Sequence, residues 1–300
     1  MPFSTLDELV VQAESLEPSH MVVVAAHDPE VLQSVDEAQK RGIATADLIG
    51  DAHQIEDIAE EYDLDLLGVI IEDQVDPRRA AAQAMSLVRE GKANIVVKGQ
   101  IKTVDFMRAA LDRETGIREK TLLSHVGLFQ IPALDRLLLM SDSGVVLFPT
   151  PEQKLVIMQN VIDVAHKLRI PEPRVAILGA NERIHPARPA GIEALTLARM
   201  AEEGWVRGAL VDGPLPLDVA LDPDRAQQRG VDGPVAGQAD IVIVPNVEAG
   251  NIAAKAILYL GKGHMAGVVV GARVPIIINS RADDAETRLR SVAMAALVAG

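Results

Sequence analysis

Three short segments combine residue types that can bind and polarise a phosphate ester. In VKGQIKT at 97–103, an apolar β-branched run ends in Lys98-Gly99, and a helix is predicted to begin near Thr103. Glycine lets backbone approach an anion closely, while Lys98, Lys102 and the partial positive charge of a helix start attract one. Arg108 follows one to two turns along that helix. In VPNVEAGNIAAK at 244–255, a strand is predicted to stop at Pro245, a polar turn containing Asn246 follows, and Gly250-Asn251 are predicted to open a helix. An asparagine amide has two donors and an acceptor for fixing a carbonyl; the same residue also serves as an ordinary helix cap. In INSRADDAE at 278–286, Ser280 and Arg281 stand where a strand emerges, with Asp283 and Asp284 at the start of the next helix. The two acids complement a helix start. The Ser-Arg pair has no such role: a guanidinium fork suits phosphate or a developing oxyanion, and a serine hydroxyl donates one hydrogen bond.

Other chemistries find little support. GKGHMA at 261–266 has the GxGxxA form of a dinucleotide loop, but it precedes a strand, GVVVG, instead of following one. No GxSxG surrounds a serine and no histidine follows His264, which disfavours a hydrolase triad built on Ser280. The histidines contain no HExxH and no i, i+4 pair, and no GxxxxGK[ST] is present.

The elements that must position these segments alternate along the chain. MVVVAA at 21–26 reads as a buried strand, and Asp28-Pro29 then supplies a cap and a first-turn proline for a helix running toward Gly42. ADLIG, GVII and NIVV follow as strands, with helices over 54–61, 80–90 and from about 103. After Pro132 a second series is predicted: GVVLF, a helix from Pro151 to Arg169, RVAIL, a helix over 190–203, GALVDG and DIVIVP. GVVVG and PIIINS lead into a last helix over 284–298. Strands alternating with helices predict doubly wound α/β sheets, and open sheets of this kind bind ligands at the carboxyl ends of their strands.

With aromatics at 2%, the core must be aliphatic, as in sheets covered by helices on both faces. A formal charge of −14 without any Lys/Arg-rich block disfavours nucleic acid and anionic membranes as partners. The lack of cysteine removes disulfides, Cys-ligated zinc and thiol nucleophiles. MPFSTLDELV has no basic stretch followed by an apolar core, and no run approaches a membrane span, so cytoplasmic residence is expected.

From about residue 94 onward, VKGQIKT, LLSHVGLFQIP, VDGPLPLD, VAGQADIVIVPNVEAGNIAAK and SRADDAETRLRSVA resemble the phosphate acetyltransferase and phosphate butyryltransferase family. The first ninety residues match only by pattern. The resemblance implies two three-layer α/β domains around a cleft, with the architecture of the isocitrate and isopropylmalate dehydrogenases. Residues 1–121 and 268–300 would form one domain and 122–267 the other. It implies reversible transfer of a short acyl group, acetyl or butyryl, between coenzyme A and inorganic phosphate, by direct attack. Coenzyme A, acyl-CoA, phosphate and acyl phosphate are then substrates, with no metal or redox cofactor, and the protein is a homodimer or larger homo-oligomer.

Ser280 and Arg281 would act at the transition state. Lys98, Gly99, Thr103, Arg108, Asn246, Gly250 and Asn251 would hold phosphate or coenzyme A. Acetyl-specific members carry an aspartate seven positions after the serine, as base toward the thiol; Thr287 stands there. Of the neighbouring Asp283, Asp284 and Glu286, Asp283 is assigned as base, and the pattern resembles the butyryl-type branch. Two other readings share the segments: an NAD-dependent dehydrogenase of related fold, with Asp283 and Asp284 toward a metal, and a non-catalytic regulator binding coenzyme A or phosphate esters.

Overall fold

The computed structural model describes residues 2–280 and 283–300. The chain divides into a terminal unit, Leu6–Thr121 with Ala266–Gly300, and an inserted unit, Leu122–Met265 with Met1–Thr5. Residues 2–5, expected with the terminal unit, thus belong with the inserted one, where the ring of Phe3 lies 5.4 Å from the Arg169 guanidinium carbon.

The terminal unit contains α1 (Leu6–Glu14), β1 (Ser19–Val24), α2 (Pro29–Lys40), β2 (Ala44–Gly50), α3 (Ala52–Glu61), β3 (Ile70–Asp73), α4 (Pro77–Arg89), β4 (Ile95–Lys98) and α5 (Thr103–Leu111). It is completed by β10 (His264–Val270), β11 (Ile276–Ile277) and α11 (Ala285–Ala299). Its strand order is β3-β2-β1-β4-β11-β10. All neighbours are parallel except β10, which runs antiparallel to β11. The helices start where the sequence supplies a cap before proline: Asp28 Oδ1 accepts from Val31 N at 3.0 Å before α2, and Asp76 accepts from Arg78 N at 2.8 Å before α4. The core is aliphatic, built from Met21, Val22, Val23, Leu32, Leu48, Ile49 and Ile95, all fully buried, with Phe106 as its large aromatic.

The inserted unit contains β5 (Ser124–Gln130), β6 (Leu137–Ser141), α6 (Pro151–Lys167), β7 (Arg174–Leu178), α7 (Pro189–Glu202), β8 (Leu210–Leu215), α8 (Leu217–Leu221), α9 (Pro223–Arg229), β9 (Ile241–Ile243) and α10 (Val247–Lys255), the last continued by a π-helical turn, Ala256–Leu260. Its strand order is β5-β6-β9-β7-β8, with β5 antiparallel to β6 and the rest parallel. Phe129, Leu138, Met140, Ala176, Val219 and Val242 form its core. Helix α6 opens with a reciprocal cap, Gln153 N donating to Thr150 Oγ1 at 3.3 Å and Thr150 N to Gln153 Oε1 at 2.9 Å.

GVVLF, predicted as the first strand of the second series, is not a strand. The strand is Leu137–Ser141, and a turn follows it. The cause is Asp142, whose carboxylate takes the backbone N–H groups of Gly144, Val145 and Val146 that a sheet ladder would have used.

Candidate active site

In the terminal unit β1, β4 and β11 lie side by side and parallel, with Val24 opposite Lys98 and Val97 opposite Ile277. The chain therefore leaves these strands at one carboxyl edge, as 25–28, 99–102 and 278–280. This is where open α/β sheets take ligands. Two of the three segments singled out from the sequence, those around Lys98-Gly99 and Ser280, are brought together by this pairing.

Lys98 Nζ donates to the Gly99 carbonyl at 3.1 Å. Gly99 N donates to Val24 O at 2.8 Å, and a Cβ at Gly99 would collide with Ala25 O. The glycine is therefore required by the backbone at the end of β1. Thr103 is the exposed first residue of α5, preceded by Lys102, which provides no side-chain cap. Arg108 lies on the same helix, largely exposed, and its Nη1 pairs with Asp105 Oδ1 at 2.9 Å. At the neighbouring strand end Asp51 caps α3, and its carboxyl is held below the usual carboxylate range, chiefly by the Gln54 side chain at 2.6 Å and then by the Gln54 N–H.

After β11 the chain makes a turn. Asp283 N donates to Ser280 O at 3.1 Å, and Ser280 N donates to Asp283 Oδ2 at 2.8 Å. Arg281, which falls between them in sequence, lies outside the described residues. The assigned base Asp283 thus uses one carboxylate oxygen to close the turn. Asp284 caps α11, accepting from Thr287 N at 2.8 Å. Glu286 pairs with Arg290 at 2.6 Å. Arg288, only 5% exposed, donates from Nε to Asp283 O at 3.2 Å and from Nη2 to Ser280 O at 3.3 Å. Sequence reasoning missed Arg288; its spacing from Asp284 would have been read as an ordinary i, i+4 surface pair.

The third segment belongs to the inserted unit. Its helix begins three residues earlier than predicted, at Val247: Asn246, with extended backbone, is the N-cap and accepts from Ala249 N at 3.0 Å. Asn251 sits inside α10 and is exposed. Gly250 is buried against the turn after β6, where a Cβ would stand 2.9 Å from both Asp142 O and Ser143 Cα. Val247 N also donates to Leu147 O at 3.1 Å. The same turn holds His125, whose backbone N donates to Asp142 Oδ2 at 3.0 Å and whose Nδ1 lies 3.1 Å from Ser143 Oγ. Sequence reasoning assigned neither Asp142 nor His125, although Asp-Ser-Gly is itself a turn signal.

Among the described residues no group of three or more His, Asp or Glu is arranged to hold a metal ion. The family model described as "Phosphate acetyl/butaryl transferase" matches residues 74–296. A phosphate butyryltransferase of Clostridium acetobutylicum is 39% identical over 296 residues, covering 99% of this chain and 98% of its own. A phosphate acetyltransferase of Rhizobium meliloti is 39% identical, covering 99% of this chain and 94% of its own. The crystal structure of a branched-chain phosphotransacylase from Enterococcus faecalis V583 superposes with a TM-score of 0.83 at 29% identity, over 94% of this chain and 99% of that one. Matched along nearly its whole length by these relatives and over residues 74–296 by the family model, this chain belongs to the phosphate acetyl/butyryl transferase family, a family of acyltransferases.

Proposed function

We propose that the chain catalyses reversible transfer of a short acyl group between coenzyme A and inorganic phosphate. The observation that carries this reading is the parallel pairing of β4 with β11, which sets Lys98 and Ser280 at one carboxyl edge of one sheet. In the direction of acyl-CoA synthesis, the thiol sulfur attacks the acyl carbonyl carbon, a C–S bond forms, the C–O bond to phosphate breaks, and phosphate leaves. The thiol proton passes to a carboxylate, for which Asp283 is the candidate. A free thiol has a pKa of roughly 8.5, so a base raises the fraction of attacking thiolate at neutral pH. Charge grows on the carbonyl oxygen during attack, and Ser280 and Arg281 are the donors assigned to it.

Lys98, Gly99, Thr103 and Arg108 of the terminal unit are assigned to the phosphate and coenzyme A; Asn246, Gly250 and Asn251 keep the ligand-holding role that the family resemblance implies. Thr287 at the position of the acetyl-type base favours a butyryl-type acyl group. The chemistry requires neither metal nor redox cofactor. A homodimer is supported by the apolar side chains that α10 and its π-helical turn leave exposed, Ile252, Tyr259 and Leu260. Among the described residues no helix is long and apolar enough to cross a membrane. The substrates of this reaction are water-soluble, and the cytoplasm is the proposed compartment. Family membership favours acyl transfer over the dehydrogenase reading. The test is release of phosphate from acetyl phosphate and butyryl phosphate, with and without coenzyme A. CoA-dependent release is expected, faster with butyryl phosphate; its absence for both, or turnover of a nicotinamide cofactor instead, overturns the proposal.

A further inference from the structure

We infer that Arg288 is a positioning residue that holds the Ser280–Asp283 turn in its working geometry. This rests on the acyl-transfer reading for its catalytic consequence, but its structural basis is independent of it. The Arg288 side chain springs from α11 and is almost entirely buried. Its Nε reaches Asp283 O at 3.2 Å and its Nη2 reaches Ser280 O at 3.3 Å, so one rigid fork spans both ends of the turn. Burying a guanidinium is costly, and the usual compensation is a carboxylate. Among the described residues Arg288 makes no ion pair, and its guanidinium donates to these two carbonyls. By contrast Arg290 on the same helix, also 5% exposed, is paired with Glu286 at 2.6 Å and with Asp7 at 3.4 Å.

The position of this charge follows from the local sequence. Asp284 caps the helix, so Arg288 falls in its second turn, and Arg288 N bonds Asp284 O at 3.1 Å. Residues four apart share a helix face, and long side chains on that face point back toward the helix start. The guanidinium is thereby aimed at the turn immediately before α11. Ser280 O accepts from Asp283 N as well as from Arg288, so the turn is closed by backbone, by the Asp283 carboxylate and by Arg288 together. Small displacements of a donor relative to a reacting oxygen cost far more in rate than in binding. The effect of Arg288 should therefore fall on kcat.

The test uses the full-length protein with Arg288→Met, which keeps bulk but removes the donors, and Arg288→Lys, which keeps charge without the fork. Steady-state kinetics of CoA-dependent phosphate release are read together with hydrogen exchange of peptides spanning 278–284. Arg288→Met is expected to lower kcat by about 10–100-fold with KM within about threefold, and to speed exchange in that peptide by about tenfold while peptides of β1 and β4 stay protected. Arg288→Lys should recover part of both. A kcat for Arg288→Met within twofold of wild type overturns the inference. So does a loss of kcat that tracks exchange throughout the terminal unit without partial recovery in Arg288→Lys, because that pattern belongs to a general folding role. Wild-type protein that releases no phosphate overturns the acyl-transfer reading and with it the kinetic role of Arg288, whereas the exchange measurement still decides whether Arg288 holds the turn.

Discussion

Two strand-end turns, one in each unit, are held by nearly buried charges that bond only backbone, and they are built in opposite senses. After β6, the Asp142 carboxylate, 3% exposed, gathers four N–H groups: those of Gly144 and Val145 at 2.8 Å each, His125 at 3.0 Å and Val146 at 3.2 Å. After β11, the Arg288 guanidinium gathers the carbonyls of Ser280 and Asp283. Asp142 lies inside the turn it organises, and three of its four donors lie within four residues of it, so that turn is closed mainly by the local chain. Arg288 lies on the following helix, so its turn depends on α11 being folded and seated. A locally closed turn acts as a folding device, and a turn clamped from a neighbouring element can be tuned for precise placement of the groups it carries. The comparison predicts that damage at Asp142 appears mainly as lost stability and damage in the β11 turn mainly as lost rate.

The largest expected effect is on rate. Ser280→Ala should lower kcat by about 10²–10³, roughly 3–4 kcal/mol of transition-state stabilisation, with the melting temperature close to wild type. A large drop in melting temperature would instead make the β11 turn a structural device like the β6 turn, and the contrast between them would disappear. Next is Asp142→Asn. An amide has only one acceptor oxygen, and its NH2 group would face N–H donors, so bonds at Val146 and His125 or at Gly144 and Val145 are lost. A cost of about 2–4 kcal/mol, seen as a lower denaturation midpoint, is expected. A stability change below about 0.5 kcal/mol would show that the Asp142 turn does not need its charge.

A third prediction sharpens how α10 is anchored to the β6 turn. Asn246→Ala removes the cap accepting from Ala249 N and should cost about 1 kcal/mol, while Asn251→Ala, at an exposed mid-helix site, should stay within about 0.5 kcal/mol. Equal costs at the two positions would restore the later helix start read from the sequence.

That shifted start illustrates which features the sequence exposes. Asp28-Pro29 and Thr150-Pro151 announce their helices because cap and proline act within one turn of chain. The alternation of aliphatic runs with helices was sufficient for the α/β class, since one-dimensional period carries that information. In contrast, VVLF in GVVLF has the composition of a strand, and only the fold of Asp142 back onto its own N–H groups cancels it. Gly99 was legible as a special position, but its reason was not: the Ala25 carbonyl that forbids a Cβ comes from a strand far away in sequence. Ser280 and Asp283 stood out by type and position, whereas Arg288 did not. A charged residue in a helix is ordinarily a solvated one, and neither its burial nor its pull on the preceding turn is written in residue spacing.

The smallest expected effect isolates that point on a single helix. Arg290 is as buried as Arg288, but its partners are carboxylates at the surface: the side chains of Glu286 and Asp7 are 60% and 81% exposed. Pairs reaching into solvent are screened and contribute little, and replacing the buried stem with a methionine of similar length keeps most of its packing. Arg290→Met should therefore change stability by less than about 1 kcal/mol, and should leave kcat for CoA-dependent phosphate release within about twofold of wild type. Its stability difference from wild type should shrink further at high salt, as an exposed ion pair requires. The paired measurement on Arg288→Met gives the result its meaning. If both substitutions lowered kcat equally, α11 would support the turn merely by being folded, and no single side chain would clamp it. If Arg290→Met is nearly silent while Arg288→Met is slow, burial and charge are matched between the two arginines and the remaining difference is the target of the guanidinium: surface carboxylates in one case, the backbone of the Ser280–Asp283 turn in the other.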